Sequence, residues 1–229
     1  MEGFILAAGL GTRLRPLTDD RPKALVEVGG VTLLERTISR LEEAGIRRIV
    51  VNVHHFADKV EAFIRSRRWQ ADISISDERA LLLDTGGGLK HAAHLFSGCE
   101  NILVHNVDIL SDIDLQSVEA EHCRQGNLVT LCVSRRTTKR LLAFDAEGQL
   151  AGRADEGFAF SGISVVSPAL FALLPDADNH PYPIIDEYIR LAHDGQRIGY
   201  YLHAADRWLD VGKPETLKLA EQWIASSAK

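Results

Sequence analysis

A glycine loop followed by cationic side chains is the first part of the chain whose residue types could do chemistry. Residues 6–13 read Leu-Ala-Ala-Gly-Leu-Gly-Thr-Arg after an apolar run, and a second cation, Lys23, follows ten residues after Arg13. Small residues let the main chain approach a ligand closely, so that its N–H groups can point at an anion. The loop therefore predicts a polyphosphate site, with main-chain contacts from Ala7, Ala8, Gly9, Gly11 and Thr12.

The form of this loop disfavours two common phosphate-binding motifs. A dinucleotide-binding fingerprint requires a third glycine, but Leu14 occupies that position. A Walker A loop requires Gly-Lys followed by Ser or Thr, and the sequence contains no such triplet. A nicotinamide-dependent dehydrogenase is therefore disfavoured.

Two aspartates stand at the ends of predicted apolar strands. Asp108 ends the stretch His-Asn-Val-Asp (105–108), and Asp210 lies within Trp-Leu-Asp-Val-Gly (208–212). A carboxylate at the carboxyl end of a strand points into the ligand crevice of an α/β sheet. Because Mg²⁺ prefers oxygen ligands and takes one or two carboxylates beside substrate phosphates, Asp108 is a candidate ligand. The spacing of about a hundred residues does not by itself pair it with Asp210.

Glycines mark two further candidate contacts with a ligand. The stretch Asp-Thr-Gly-Gly-Gly (84–88) precedes a predicted helix, so its main chain could approach a ligand beside the N-terminus of that helix. Gly162 interrupts the apolar run 158–166, which indicates close approach of another group to that strand.

Together these motifs resemble the signature of the sugar-1-phosphate nucleotidyltransferases. The resemblance rests on Gly-Leu-Gly-Thr-Arg-Leu-Arg-Pro-Leu-Thr (9–18), on the Pro-Lys that follows, and on the order of the later motifs over nearly the whole chain. It implies that Arg13 holds the departing pyrophosphate, that Lys23 neutralises the reacting phosphates, and that Asp108 acts with them in catalysis. It also implies Mg²⁺ bound by Asp108 and Asp210. Val107 departs from the glycine that usually precedes the first aspartate.

The same resemblance implies the substrate contacts. The nucleotide would be held by the glycine loop and by Arg13, Thr85, Gly86, Gly87 and Asn106. The sugar phosphate would be held by Lys23, Glu156, Ser161 and Gly162.

The residues that make up two of these motifs indicate which substrates to expect. Thr-Gly-Gly-Gly (85–88) resembles the subgroup that includes the enzymes for N-acetylmuramate, mannose and heptose phosphates. Phe-Ser-Gly-Ile-Ser (160–164), followed by Pro-Ala-Leu-Phe, looks most like the enzymes that join UTP to N-acetylmuramate 1-phosphate. A mannose- or heptose-1-phosphate guanylyltransferase is the neighbouring alternative. A non-catalytic nucleotide-sugar sensor is an alternative of another class, which retention of Arg13, Lys23, Asp108 and Asp210 disfavours.

Hydrophobic periodicity predicts the elements that must position these residues. In the first half, strands are predicted over 3–7, 48–53, 71–76, 101–105 and 128–133, and helices over 32–44, 57–66, 88–96 and 114–124. In the second half, strands are predicted over 141–144, 149–151, 158–166, 199–202 and 208–211, and helices over 168–173, 182–193 and 214–223.

This order predicts an α/β fold. We expect a Rossmann-like, mostly parallel mixed sheet flanked by helices, which the resemblance identifies with the nucleotide-diphospho-sugar transferase fold. The expected organisation is a single domain, 1–229. Residues 1–134 would form its nucleotide-binding half, and residues 135–229 would form its sugar-phosphate half.

Composition narrows the range of partners. The net charge is −6 and no long basic run occurs, so nucleic acid is not expected to be a partner. No stretch has the length and apolarity of a membrane span, and no leader peptide is expected. The three cysteines form no close pair. The sequence thus predicts a cytoplasmic protein, either a monomer or a small homo-oligomer.

Overall fold

The computed structural model describes residues 1–96, 98–176, 180–204 and 207–227. Its strands are β1 Glu2–Leu6, β2 Glu27–Val28, β3 Val31–Thr32, β4 Arg48–Val53, β5 Asp72–Asp77, β6 Ile102–Asn106, β7 Ile109–Ser111, β8 Val129–Ser134, β9 Leu141–Phe144, β10 Leu150–Ala154, β11 Phe158–Val166, β12 Ile198–Leu202 and β13 Trp208–Asp210. Its α-helices are α1 Leu33–Glu43, α2 Ala57–Arg65, α3 Asp84–His91, α4 Leu115–Gln125, α5 Ile184–His193 and α6 Pro214–Ser227.

One large mixed sheet organises the molecule, with helices on both of its faces. Its order is β10-β9-β11-β6-β1-β4-β5, and β8 joins β11 to β12. The run β6-β1-β4-β5 is parallel, whereas β11 lies antiparallel to β6, β8 and β9. The predicted α/β class is confirmed, and strands from both halves of the chain share this sheet.

Burial on both faces explains why the central strands are apolar throughout. In β1 the neighbouring residues Phe4 and Ile5 point to opposite faces, as successive strand residues do, and both are fully buried. Ile5 packs in the core with residues of α1, α2, α4 and α6. Phe4 packs in the other core, with residues of α3 and α5.

Capping residues fix the start of α1 and both ends of α4. The Thr32 hydroxyl accepts a hydrogen bond from the Glu35 N–H at the start of α1. The Asp114 carboxylate does the same for Gln116 and Ser117 at the start of α4, which ends at Gly126 with a φ of +62°.

The helix predicted over 88–96 is the main error in the element prediction. The α-helix α3 begins at Asp84, and residues 92–95 continue as a 3₁₀ helix. Glycine disfavours helix interiors, so the sequence predicts a loop at the three glycines. Glycine is needed at all three positions in α3, because a Cβ would lie within 3.0 Å of Tyr182 at Gly86, of Leu83 at Gly87 and of Glu78 at Gly88. The helix predicted over 168–173 is a 3₁₀ helix, Pro168–Ala172.

Two short ladders outside the large sheet position the loops at its edge. Strands β2 and β3 form one, and β7 pairs with β13 in the other. No helix among the described residues is long and apolar enough to span a membrane.

Candidate active site

The glycine loop lies at the carboxyl end of β1 and lines a cavity of about 530 Å³. Every loop residue from Ala7 to Arg13 lines it, together with Lys23, Asp108 and Asn106. Gly11 has a φ of +65°, and a Cβ there would lie 2.9 Å from Lys23 Cβ and 3.0 Å from Thr18 Cγ2. Glycine is therefore needed at this position for both conformation and space.

A buried hydrogen-bond relay holds the start of the loop. Asn52, at 1% exposure, accepts hydrogen bonds through Oδ1 from the N–H groups of Ala7 (2.6 Å) and Ala8 (3.2 Å). Its Nδ2 donates to Glu78 Oε1 at 2.7 Å, and Glu78 Oε2 accepts from the Leu83 N–H at 3.1 Å. Burial raises the pKa of Glu78. The relay ties the loop to the segment before α3, and sequence analysis missed both of its polar side chains.

The ladder between β7 and β13 brings the two aspartates together. Asp210 pairs with Ile109, and the Val211 N–H donates to the Asp108 carbonyl oxygen at 2.8 Å. Lys23 forms an ion pair with Asp108, and these side chains are only 12% and 13% exposed. The structure therefore places Lys23, Asp108 and Asp210 at one point.

The negative charges of Asp108 and Asp210 are suited to binding a divalent cation. The pKa of Asp210 is raised, first by burial and then by the negative charge of Asp108, whereas Lys23 and Arg13 lower it. Two nearby carboxylates leave negative charge that a cation would stabilise, and substrate phosphates could supply further oxygen ligands. No cluster of three or more His, Cys, Asp or Glu suited to a metal occurs in the described ranges. The donor set fits an ion that is held partly by substrate.

Arg13 and Asp210 both approach Gly212. A Cβ on Gly212 would lie 2.6 Å from Arg13 Nη2 and 2.7 Å from Asp210 Oδ1. The Gly212 N–H donates to the same Oδ1 at 2.8 Å. Glycine thus lets the guanidinium and the carboxylate approach the main chain.

The segment 84–87, which includes three residues predicted to hold the nucleotide, divides into two parts. Asp84 and Thr85 line the cavity, and Asp84 has a φ of +61°, which is unusual for a residue other than glycine. Gly86 and Gly87 are buried behind them and do not line it. The Gly86 N–H donates a hydrogen bond to the Tyr182 carbonyl oxygen at 2.9 Å, so this N–H does not bind a ligand.

A second cavity, of about 700 Å³, adjoins the first. The two share Leu6, Arg13, Asp84, Thr85 and Asn106 as lining residues. Gly162 and Asp210 line the second cavity from one side, and residues of β9, β10 and α5 line it from others. A ligand in each cavity would thus meet the other beside Arg13.

Of the four predicted sugar-phosphate contacts, Gly162 lines this second cavity, Lys23 lines only the first, and Ser161 and Glu156 line neither. Ser161 is fully buried and does not line it; its Oγ lies 2.8 Å from His203 Nε2 and accepts from Arg136 Nη1 at 3.1 Å. Glu156 lies in the exposed turn between β10 and β11 and lines neither cavity.

The buried Ser161 instead supports an aromatic wall of the second cavity. Its carbonyl oxygen accepts a hydrogen bond from Trp208 Nε1 at 2.9 Å, and the Arg136 guanidinium lies 3.8 Å from the centre of the Trp208 ring. Both Trp208 and Arg136 line the cavity. Sequence analysis identified neither as a site residue.

Comparison with known families assigns the chain. Residues 2–142 match the profile of the nucleotidyl transferase family. The chain belongs to this family. An N-acetylmuramate alpha-1-phosphate uridylyltransferase from Caulobacter vibrioides is 35% identical, over 98% of this chain and 97% of the relative. A mannose-1-phosphate guanyltransferase beta-A from Xenopus laevis is 28% identical, over 94% of this chain and 62% of its own length.

Solved structures of the same fold confirm the architecture of this nucleotidyltransferase. HddC from Yersinia pseudotuberculosis in complex with GMP-PN superposes with a TM-score of 0.81 at 21% identity, over 97% of this chain and 99% of that one. A putative glucose-1-phosphate thymidylyltransferase from Bacillus anthracis gives 0.81 at 18% identity, over 97% and 94%. The predicted nucleotide-diphospho-sugar transferase fold is confirmed.

Proposed function

We propose that the protein transfers a uridylyl group from UTP to N-acetylmuramate 1-phosphate and releases pyrophosphate. The observation that carries the proposal is the junction of the two cavities, where Arg13, Lys23, Asp108 and Asp210 converge. The smaller cavity has the glycine loop suited to a triphosphate. The larger one is suited to the acceptor. The relative from Caulobacter vibrioides supports this choice of substrates.

The reaction needs positioning and charge neutralisation more than proton transfer. A phosphate oxygen of the acceptor forms a bond to the α-phosphorus of the triphosphate. The bond from that phosphorus to the bridging oxygen breaks, and pyrophosphate leaves with the electron pair. A phosphate monoester oxygen is already anionic at neutral pH, so no general base is required. Catalysis therefore rests on orientation and on electrostatic stabilisation.

Each site residue has a role in this scheme. The N–H groups of Gly9, Gly11 and Thr12 bind the triphosphate, and Arg13 holds the departing pyrophosphate. Lys23 neutralises the reacting phosphates beside Asp108.

Nucleotidyltransferases of this family generally use a divalent metal ion. We propose Mg²⁺, held by Asp108 and Asp210, because their carboxylates match its preference for oxygen ligands. The bound ion would supply charge neutralisation at the α-phosphate. Thr85 and Asn106 would contact the nucleotide, and Gly162 would contact the acceptor.

Two further attributes remain part of the proposal. Nucleoside triphosphates are cytoplasmic substrates, so we infer that the protein acts in the cytoplasm. We infer a monomer or a small homo-oligomer, because each chain carries both cavities.

A grid of substrates tests the proposal. Pyrophosphate release would be measured with Mg²⁺ for four nucleoside triphosphates, each with N-acetylmuramate, mannose, heptose and glucose 1-phosphates. We expect the highest rate with UTP and N-acetylmuramate 1-phosphate. Preference for GTP and mannose 1-phosphate would support the guanylyltransferase alternative, which the relative from Xenopus laevis favours. Binding of nucleotide without release in any combination would support the sensor alternative.

A further inference from the structure

Two arginines on one β-hairpin line the larger cavity in addition to the cations at its junction with the smaller one. Arg153 lies on β10 and pairs with Leu142 of β9. Arg140 precedes β9 and lies two residues before Leu142, so strand alternation puts it on the same side of the hairpin. All three residues line the cavity.

These arginines lie beyond the groups that would hold the reacting phosphates. Asp108 follows β6, which pairs with Ile163–Val166 of β11, whereas β9 pairs with Phe158 and Ala159 of the same strand, beyond the carboxyl end of β6. At about 3.3 Å per residue, the four residues from Ile163 to Ala159 place β9 roughly 13 Å along β11 from that end of β6. A sugar whose 1-phosphate lies at Asp108 and Lys23 would therefore extend its ring substituents toward the hairpin.

The net positive charge of the side chains that line this cavity exceeds what is needed to neutralise one phosphate. The lining side chains carry two carboxylates, Asp84 and Asp210, and the cations Arg13, Arg136, Arg140, Arg153 and Lys213. The Arg136 guanidinium already donates hydrogen bonds to Ser161 Oγ and to the carbonyl oxygens of Phe160 and Ala159.

The two hairpin arginines differ in whether a carboxylate already pairs with the guanidinium. Arg153 pairs with Asp186 of α5 at 2.6 Å, and both side chains are about half exposed. Arg140 is exposed, and within the described ranges it has no carboxylate within 4.0 Å. Arg153 faces Leu142, so Arg140 is its diagonal neighbour on the adjacent strand, within reach of a long side chain. One anion between the two arginines could contact both.

We propose that Arg140, assisted by Arg153, binds a carboxylate carried by the sugar of the acceptor. The proposal rests on the function proposed above and names the residues that would select its acceptor. Of the acceptors considered, N-acetylmuramate carries such a group, the lactyl carboxylate, whereas mannose and heptose do not. Leu142 and Phe160 line the cavity beside the arginines and offer apolar contact to the lactyl methyl group.

The test compares two acceptors that differ only in the lactyl ether. N-Acetylmuramate 1-phosphate and N-acetylglucosamine 1-phosphate would each be assayed with UTP and Mg²⁺, and the ratio of their kcat/KM values is the readout. The wild type should prefer the muramate. Arg140→Gln should lower that preference by roughly 10- to 100-fold, the range for a charge-assisted hydrogen bond. Arg140→Lys should keep part of it, because the charge remains while the planar fork is lost.

A neighbouring arginine provides the matched control. Arg135 lies 5.2 Å over the Phe158 ring and does not line the cavity, so Arg135→Gln should leave the preference ratio unchanged. Calorimetric binding of both acceptors to wild type and to Arg140→Gln would give the same comparison without turnover, and thermal melts would verify folding.

The outcomes separate the two proposals. Equal kcat/KM for both acceptors in the wild type, or an unchanged ratio in folded Arg140→Gln, would overturn the carboxylate subsite and leave nucleotidyl transfer intact. Absence of turnover with either acceptor, while another sugar 1-phosphate reacts, would overturn the proposed substrate as well.

Discussion

Two glycine-to-alanine substitutions should separate the geometry of the site from the stability of the fold. At Gly212 the added methyl would lie 2.6 Å from Arg13 Nη2 and 2.7 Å from Asp210 Oδ1. Ordinary contact begins at 3.4 Å, so Arg13 Nη2 must retreat by about 0.8 Å and Asp210 Oδ1 by about 0.7 Å. Both are ends of side chains beside a cavity and can move, so the free energy of unfolding should change by less than about 1 kcal/mol.

The same displacement should be costly for turnover. Arg13 and Asp210 are the groups proposed to hold pyrophosphate and the divalent ion. A misplacement of about 1 Å in a site built on orientation can cost about 10²-fold. We therefore expect Gly212→Ala to lower kcat/KM by about 10- to 100-fold in a pyrophosphate-release assay.

Gly86→Ala is the matched contrast. Its methyl would lie 2.4 Å from Tyr182 Cε2 and 2.9 Å from the Tyr182 carbonyl oxygen. The ring cannot retreat easily, because Tyr182 is 7% exposed and its hydroxyl donates to the Pro175 carbonyl oxygen at 3.0 Å. Overpacking costs about 1–3 kcal/mol, and the better helix propensity of alanine returns about 0.5–1 kcal/mol. A net loss of about 1 kcal/mol should lower Tm by about 2–4 °C.

Measurement of Tm and kcat/KM for both variants shows whether each glycine serves the geometry of the site or the stability of the fold. We expect a larger loss of Tm in Gly86→Ala and a larger loss of kcat/KM per unit of lost stability in Gly212→Ala. A Gly212→Ala protein with wild-type kcat/KM would refute the assignment of that contact to the catalytic geometry.

The remaining predictions concern the charged groups at the junction of the cavities. Asp108→Asn should lower turnover by about 10²–10³-fold without loss of fold, measured at saturating Mg²⁺; wild-type turnover would contradict its role. Lys23→Ala should reduce turnover far more than Tm, and the reverse pattern would make Lys23 structural. In metal-free buffer, the raised pKa of Asp210 means that the folded protein holds this proton to higher pH than the unfolded chain. The free energy of unfolding should therefore fall as pH rises from about 4 through the folded pKa. Asp210→Asn should lack that fall, and parallel curves of Tm against pH for the two proteins would contradict the expectation.

Features encoded in neighbouring residues could be predicted from the sequence. The apolar runs predicted the central strands within a residue or two, because strands buried on both faces need continuous apolar sequence. The strand-end positions of Asp108 and Asp210 followed from the same runs.

Features that depend on distant contacts could not be predicted in this way. Asn52 and Glu78 stand in ordinary sequence surroundings, and only the fold shows that they hold the glycine loop. The start of α3 at Asp84 depends on Tyr182, about a hundred residues away. Ser161 has a suitable side chain for a sugar contact, but it faces His203.

The fate of labelled phosphorus shows whether the protein transfers a nucleotidyl group. UTP labelled at the α- or at the γ-phosphorus would be incubated with N-acetylmuramate 1-phosphate and Mg²⁺, and the products separated. We expect the α-label in the nucleotide sugar and the γ-label in pyrophosphate. Appearance of the γ-label on the sugar, or release of the α-label as UMP without a sugar product, would contradict it.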